Sequence, residues 1–240
     1  MKQTIKKMIR IALSPFVLGD YWRFKAKDKK SRFAVRFGDV YPQIRDKTLA
    51  TGFDRHYVYH TAWAARKVAE IKPEFHTDIS SSLYFSSIVS AFVPVKFYDY
   101  RPADLRLSGL SSEKADLMRL PFADSSIKSL SCMHTVEHVG LGRYGDPIDP
   151  EGDLKAIKEL KRVLAPGGSL LFVVPIGKPR IEFNAHRIYS YDMIREYFSD
   201  LELKEFSLIP EKGGAIIANA TKEQADGERY GCGCFWFVKK

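Results

Sequence analysis

The sequence predicts an α/β fold: a doubly wound, mostly parallel sheet with an antiparallel last strand and an N-terminal extension. Three observations carry that prediction. Apolar runs of strand length alternate with segments of helical period from Phe75 onward. The stretch from Ala115 to Pro175 reads as acid-bearing loop, apolar strand, polar loop, amphipathic helix, Pro-Gly-Gly turn and second apolar strand, which is half of such a sheet. The final strand-like runs, LELKEFSLI and RYGCGCFWFVKK, are joined by a Gly-containing loop that begins PEKGG. The expected organisation is a basic, partly helical extension over 1–52 and one α/β domain over 53–240.

Ile5, Met8, Ile9, Ala12 and Leu13 fall at helical spacing, and Pro15 would stop or kink that helix. Residues 20–52 mix aromatic and basic residues with Gly and Pro, show no clean period, and read as an irregular extension wrapping the core. From Asp54, a candidate cap, Tyr57, Thr61, Ala64, Ala65 and Val68 predict a helix that Lys72-Pro73 ends. FHTDISSS, LYFSSIVSAF and VPVKFYDY then form strand, helix and strand, the crossover that parallel pairing requires. RLSGLSSEKADLM includes a minor strand, and Tyr191 to Phe198 is a short helix capped by Ser190.

Composition narrows the classes. At 240 residues, 45% apolar and 13% aromatic, the chain can bury a sizeable core. Its net charge of +9 is concentrated at the start, where residues 1–36 hold eleven Lys/Arg against Asp20 and Asp28. Two readings of that arm stay open: a helix packed on the domain, or a basic amphipathic helix on an anionic membrane through residues 1–20. No nucleic-acid module accompanies the charge, so no nucleic-acid partner is expected. Cys132, Cys232 and Cys234 lack the paired framework of a secreted scaffold and no Cys-His cluster with zinc spacing surrounds them, so a reducing cytoplasm is expected. With no run of 18 apolar residues, no transmembrane helix is predicted.

Chemistry-bearing residues gather at the predicted strand ends. Asp78, Ser80 and Ser82 occupy the turn after the first strand, which meets the ligand in doubly wound folds. Asp99 ends the second strand, where a carboxylate can accept hydrogen bonds from both hydroxyls of a ribose. In HTVEH, His134 and His138 are four apart with Glu137 between, and His titrates near neutrality. General base, metal ligand and purely structural histidine are all open for this pair. The His-Glu-x-x-His arrangement of zinc proteases is absent, so no metal is expected. Arg143, Tyr144 and Asp146 in GRYGDPIDP, and Asn184, His186 and Arg187 in FNAHRIYS, are candidates for holding a substrate, the arginines through phosphate or carboxylate.

The stretch from Ala115 to Pro175 resembles the class I S-adenosylmethionine-dependent methyltransferases. Within them, the combination of DISSSLYFSS, the acid of FYDYRPADL, LPFADSSIKSLSCMHTVEHVGLGRYGDPIDPEG and EFNAHRIYS is similar, over about residues 50–210, to a bacterial family of unknown function that often accompanies cell-surface polysaccharide enzymes. The resemblance implies S-adenosylmethionine as cofactor, with DISSS as the usually glycine-rich first motif and Asp116, beside Leu117, on the adenine amino group. It also implies methyl transfer to a hydroxyl or amine of a saccharide, glycan precursor or small metabolite, with His138 or His134 as base and Glu137 orienting it. A cytoplasmic protein with peripheral contact at the inner membrane is the matching location. Two rivals stay open: a non-catalytic methyltransferase-fold partner in envelope glycan synthesis, and a nucleic-acid methyltransferase favoured by charge alone.

Overall fold

A computed structural model describes residues 15–44 and 46–240. The chain divides into two compact units, Met1–Phe53 and Asp54–Lys240. The helix expected over residues 5–13 lies outside the described residues.

In the first unit, helix α1 (Pro15–Lys27) buries none of its side chains. A single 3-10 turn follows at Phe37–Asp39. The Tyr21 ring stands edge-on to Trp22 and Phe37 at 5.0 and 5.9 Å, and Asp20 pairs with Lys47 at 2.8 Å. The expectation of irregular chain from residue 20 is therefore corrected: 20–27 is helical. A helix that buries nothing carries no apolar stripe, so its period is not written in the sequence.

The second unit opens with helix α2 (Arg55–Ile71), whose N-cap Asp54 accepts from the Tyr57 N–H at 3.1 Å. Lys72, in the left-handed region at φ 50°, closes it ahead of Pro73. Then come β1 (His76–Ile79), α3 (Leu83–Val89), β2 (Val95–Asp99), β3 (Leu110–Lys114) and β4 (Ile127–Met133). Helix α4 (Gly152–Val163) and β5 (Leu164–Ile176) complete the half-sheet read from the sequence. The Pro-Gly-Gly turn is realised as a break in register inside β5, with Gly167 at φ 71°.

Beyond β5 the structure holds more than the sequence foretold. FNAHRIYS lies in a hairpin of β6 (Arg180–Glu182) and β7 (His186–Ile188), followed by α5 (Tyr191–Tyr197) and β8 (Leu201–Ile209). The loop before the last strand contains β9 (Ile217–Ala218) and α6 (Lys222–Asp226), closed by a Thr221/Gln224 capping box. Strand β10 (Gly231–Lys239) ends the chain.

The sheet order is β3-β2-β1-β4-β5-β10-β8-β9. Strands β3 to β5 are parallel, and β10 runs antiparallel between β5 and β8. Order reverses between β1 and β4, and that switch point opens a crevice at the strand C-termini. Helix α4 buries Ala156, Ile157, Leu160 and Val163 at helical spacing, in one core with Leu130, Phe172, Phe235 and Phe237. Trp63, Ala64 and Val68 of α2 join Phe85, Phe97, Leu171 and Val173 in a second core. Helices on both faces explain why β4 and β5 read as near-continuous apolar runs.

A buried polar chain runs under the switch point. His76 Nδ1 lies 2.8 Å from Ser129 Oγ and Nε2 lies 2.9 Å from Ser131 Oγ, while Ser131 donates to Asp78 at 2.5 Å. Full burial holds His76 down at about 3. Depressed below its unfolded value near 6.5, it supports folding above that pH and withdraws support as pH falls toward 3, at about 1.4 kcal/mol per pH unit. His76→Asn retains a donor and an acceptor but cannot titrate. Between pH 6 and 4 the natural chain is expected to lose about 1.4 kcal/mol more per pH unit than this variant, read by urea unfolding. Asp78 titrates in both proteins and drops out of the comparison.

Candidate functional site

Two cavities meet at the C-terminal edge of the parallel strands. The smaller, about 230 Å³, is lined by Ser80, Ser81 and Ser82 after β1, Asp99 after β2, Asp116 and Leu117 after β3, and Met133 at the end of β4. The larger, about 760 Å³, is lined by His56, Arg143, Asn184, His186 and Tyr230 among others. Tyr57, His134 and His138 line both and form the junction.

In the small cavity, Ser80 takes φ 55°, the left-handed region that favours glycine and costs another residue roughly 1–2 kcal/mol. Its N–H donates to Tyr98 O at 2.7 Å and its hydroxyl to the same oxygen at 3.2 Å, which holds the turn in that conformation. Ser81 Oγ accepts from the Met133 N–H at 3.0 Å, tying the turn to β4. Asp99 accepts from the Arg101 N–H at 2.7 Å and Asp116 from the Met118 N–H at 2.9 Å, so both carboxylates are fixed at the cavity wall. Asp78 is not there. It is fully buried beneath the turn, bonded by Ser131 and Ser86 at 2.5 Å each, and burial raises it to about 6. It braces the turn from below, because every residue of β1 is buried and Ser86 of α3 and Ser131 of β4 close over its carboxylate.

At the junction, His134 sits at φ 53° just before a single 3-10 turn, Val136–His138. Its Nδ1 is 2.9 Å from Glu137 Oε1 and its Nε2 is 3.4 Å from Cys232 Sγ on β10. Burial pushes His134 down to about 4 and Glu137 up to about 7. His138 is held differently. Its Nδ1 donates to Ala185 O at 2.6 Å, and Arg143 Nη1 donates to the same carbonyl at 3.0 Å. The 3.2 Å approach of Arg143 to His138 Nδ1 is thus two donors converging on one acceptor. A proton on Nδ1 leaves the Nε2 lone pair as the ring's basic site, and burial lowers its basicity so that the ring is neutral near pH 7.

The loop candidates separate into two roles. Tyr144 faces the small cavity, its ring covered by Arg101 at 4.7 Å and Arg143 at 5.1 Å. Asp146 lines the same cavity, yet its carboxylate accepts from the N–H groups of Gly140, Gly142 and Tyr144 at 2.7, 3.4 and 3.2 Å, shaping the loop. Arg187 is buried and bonds Val139 O at 2.7 Å and Pro150 O at 3.2 Å, with Asp153 3.5 Å away. It clamps the loop and does not line either cavity, so the expected anion contact falls to Arg143. Sequence reading missed His56, Tyr57, Tyr230 and Cys232, which reach the site from α2, from the residue just before β10 and from β10 itself. The aromatic and His content of HYVYH, on a helix expected to be merely structural, was the available signal.

Comparisons with known proteins agree with this architecture. A model of the family DUF268, described as a Caenorhabditis protein of unknown function, matches residues 122–212. The search of curated proteins finds no match. Among solved structures, the chain is similar to Burkholderia thailandensis 1,6-didemethyltoxoflavin-N1-methyltransferase with bound 1,6-didemethyltoxoflavin and S-adenosylhomocysteine, at 8% identity and TM-score 0.52, covering 75% of this chain and 78% of that one. It is similar to the YcgJ protein of Bacillus subtilis at 15% identity and TM-score 0.52, covering 75% and 98%. A chain from the complex of the Haloferax volcanii Trm112 methyltransferase activator matches at 20% identity and TM-score 0.51, covering 77% and 90%. The fold is that of the class I methyltransferases.

Proposed function

We propose that the protein is an S-adenosylmethionine-dependent methyltransferase acting on a hydroxyl or amine of a saccharide, glycan precursor or small metabolite. The observation that carries this reading is the junction: a neutral His138, its Nε2 3.8 Å from Glu137 Oε1, stands where a carboxylate-lined cleft opens into a larger polar cavity. Asp99 would accept from the ribose hydroxyls, Asp116 from the adenine amino group, and Leu117 and Met133 would cover apolar faces. The Ser80–Ser82 turn would meet the methionine end with its backbone and hydroxyls. Bound there, the cofactor supplies an electrophilic methyl on a sulfonium sulfur.

On the acceptor side, Tyr57, Tyr230 and His56 offer ring faces, and Arg143, Asn184 and His186 offer polar contacts suited to a hydroxyl-rich molecule. His138 Nε2 takes the acceptor proton as the nucleophile attacks, and the Ala185 carbonyl holds the imidazolium in place through Nδ1–H. His134, with both nitrogens engaged, is the lesser base. Calorimetric titration of S-adenosylhomocysteine into the full chain tests the reading. Micromolar binding is expected, and absence of heat or thermal shift at millimolar ligand sinks it in favour of a non-catalytic fold.

The exposed Phe16, Trp22 and Phe24 with Arg23, Lys25 and Lys27 on α1 support contact of the extension with an anionic membrane. No helix among the described residues is long and apolar enough to cross one. Removing residues 1–27 should release the protein from anionic liposomes, and unchanged partitioning removes the idea.

A further inference from the structure

The cluster at the junction holds more than a proton-transfer pair. One ligand-type atom each from His56, His134 and Cys232 lies within 4.8 Å of the others. The three come from α2, the end of β4 and β10, so the fold assembles them from distant parts of the chain. Tetrahedral zinc, with bonds of about 2.0 Å to nitrogen and about 2.3 Å to sulfur, keeps its ligand atoms roughly 3.3–3.8 Å apart. The His134 Nε2 to Cys232 Sγ separation of 3.4 Å already fits, and His56 needs to move by about 1.5 Å at most.

Two further observations point the same way. Glu137 holds His134 through Nδ1 at 2.9 Å, leaving Nε2 to face the cluster, which is the carboxylate–imidazole arrangement that orients metal-bound histidines. The buried Glu137 Oε2 and His60 Nε2 have no hydrogen-bond partner among the described residues, although the His60 ring lies 4.9 Å from that of His134. Buried polar atoms left without partners this close together are unusual.

We propose that His56, His134 and Cys232 form a three-ligand site for a borderline divalent cation of the zinc type, its fourth position open to the larger cavity. Two imidazoles and one thiolate match that class of ion, and three protein ligands with an open position are the pattern of reactive zinc sites. On binding, the Cys232 thiol gives its proton to solvent and its sulfur lone pair to the metal, so one proton leaves per ion bound. The open position faces the cavity assigned to the acceptor, where an oxygen, nitrogen or sulfur of a small molecule could complete the shell. This inference goes beyond methyl transfer and does not depend on it.

The experiment uses the full chain stripped of metal, with zinc and cobalt(II) as probes and no cofactor. Zinc is expected to bind at one equivalent with release of a proton. Cobalt(II) is expected to show a thiolate-to-metal charge-transfer absorption that disappears in Cys232→Ser. Glu137→Gln should weaken zinc by about 10- to 100-fold, the range seen for supporting groups, and His56→Gln, which removes a ligand at a half-buried position near the start of α2, should weaken it at least as much. Circular dichroism confirms that each variant is folded. A cobalt spectrum without the thiolate band, or zinc affinity equal in the natural chain and His56→Gln, overturns the site and leaves Cys232 as a thiol hydrogen-bonded to His134. S-adenosylhomocysteine titrated into the same stripped chain separates this result from the methyltransferase reading.

Discussion

Asp99→Ala is expected to weaken binding of S-adenosylhomocysteine by about 10- to 100-fold in calorimetry. A hydrogen bond to a charged group is worth about 1.5–3 kcal/mol, and about 1.4 kcal/mol is tenfold in affinity. Asp99 ends β2, where it pairs with Lys114 of β3, and one oxygen is held by the Arg101 N–H. The carboxylate is therefore preorganised, and its loss is not compensated by a neighbour moving in. Unchanged affinity would place the ribose elsewhere and dissolve the assignment of the small cavity.

Gly140→Ala is expected to destabilise the protein by roughly 3 kcal/mol or more, measured by urea unfolding. Gly140 takes φ 78°, and a Cβ there would stand 2.0 Å from the backbone oxygen of Asp149. Its N–H also donates to Asp146 and its carbonyl accepts from the Asp149 N–H at 2.9 Å, so this one residue closes the loop that carries Arg143 and Tyr144. Gly145→Ala is the control. At φ 84° with nothing within 4 Å of the new carbon, it should cost only the backbone strain of about 1–2 kcal/mol. Equal effects at the two positions would show that the 140–149 closure does not hold the loop.

The turn after β1 keeps a left-handed conformation with serine in place of glycine, because Ser80 is bonded twice to Tyr98 O. Glycine is thus one route to this geometry, and hydrogen bonding that offsets the strain is another. The hydroxyls it introduces would leave less room and more polarity beside a cofactor bound as proposed.

Local and periodic features were legible from the sequence alone: the apolar runs of β4 and β5, the stripe on α4, the caps at Asp54 and Ser190, and the acids at strand ends. Each depends on residues within one or two turns of one another, and burial on one or both faces writes itself as a period. Tertiary structure alone decided which side chains share a cavity. Asp78 and Asp99 both sit near strand ends, but the first lies within paired β1 and is fully buried, whereas the second lies past the last β1 pairing and lines the small cavity. Arg187 and Arg143 look alike in sequence, yet one clamps the loop and the other faces the cavity. The meeting of His134 with Cys232, 98 residues apart, follows from β10 running antiparallel against β5 beside β4, a pairing no local pattern encodes.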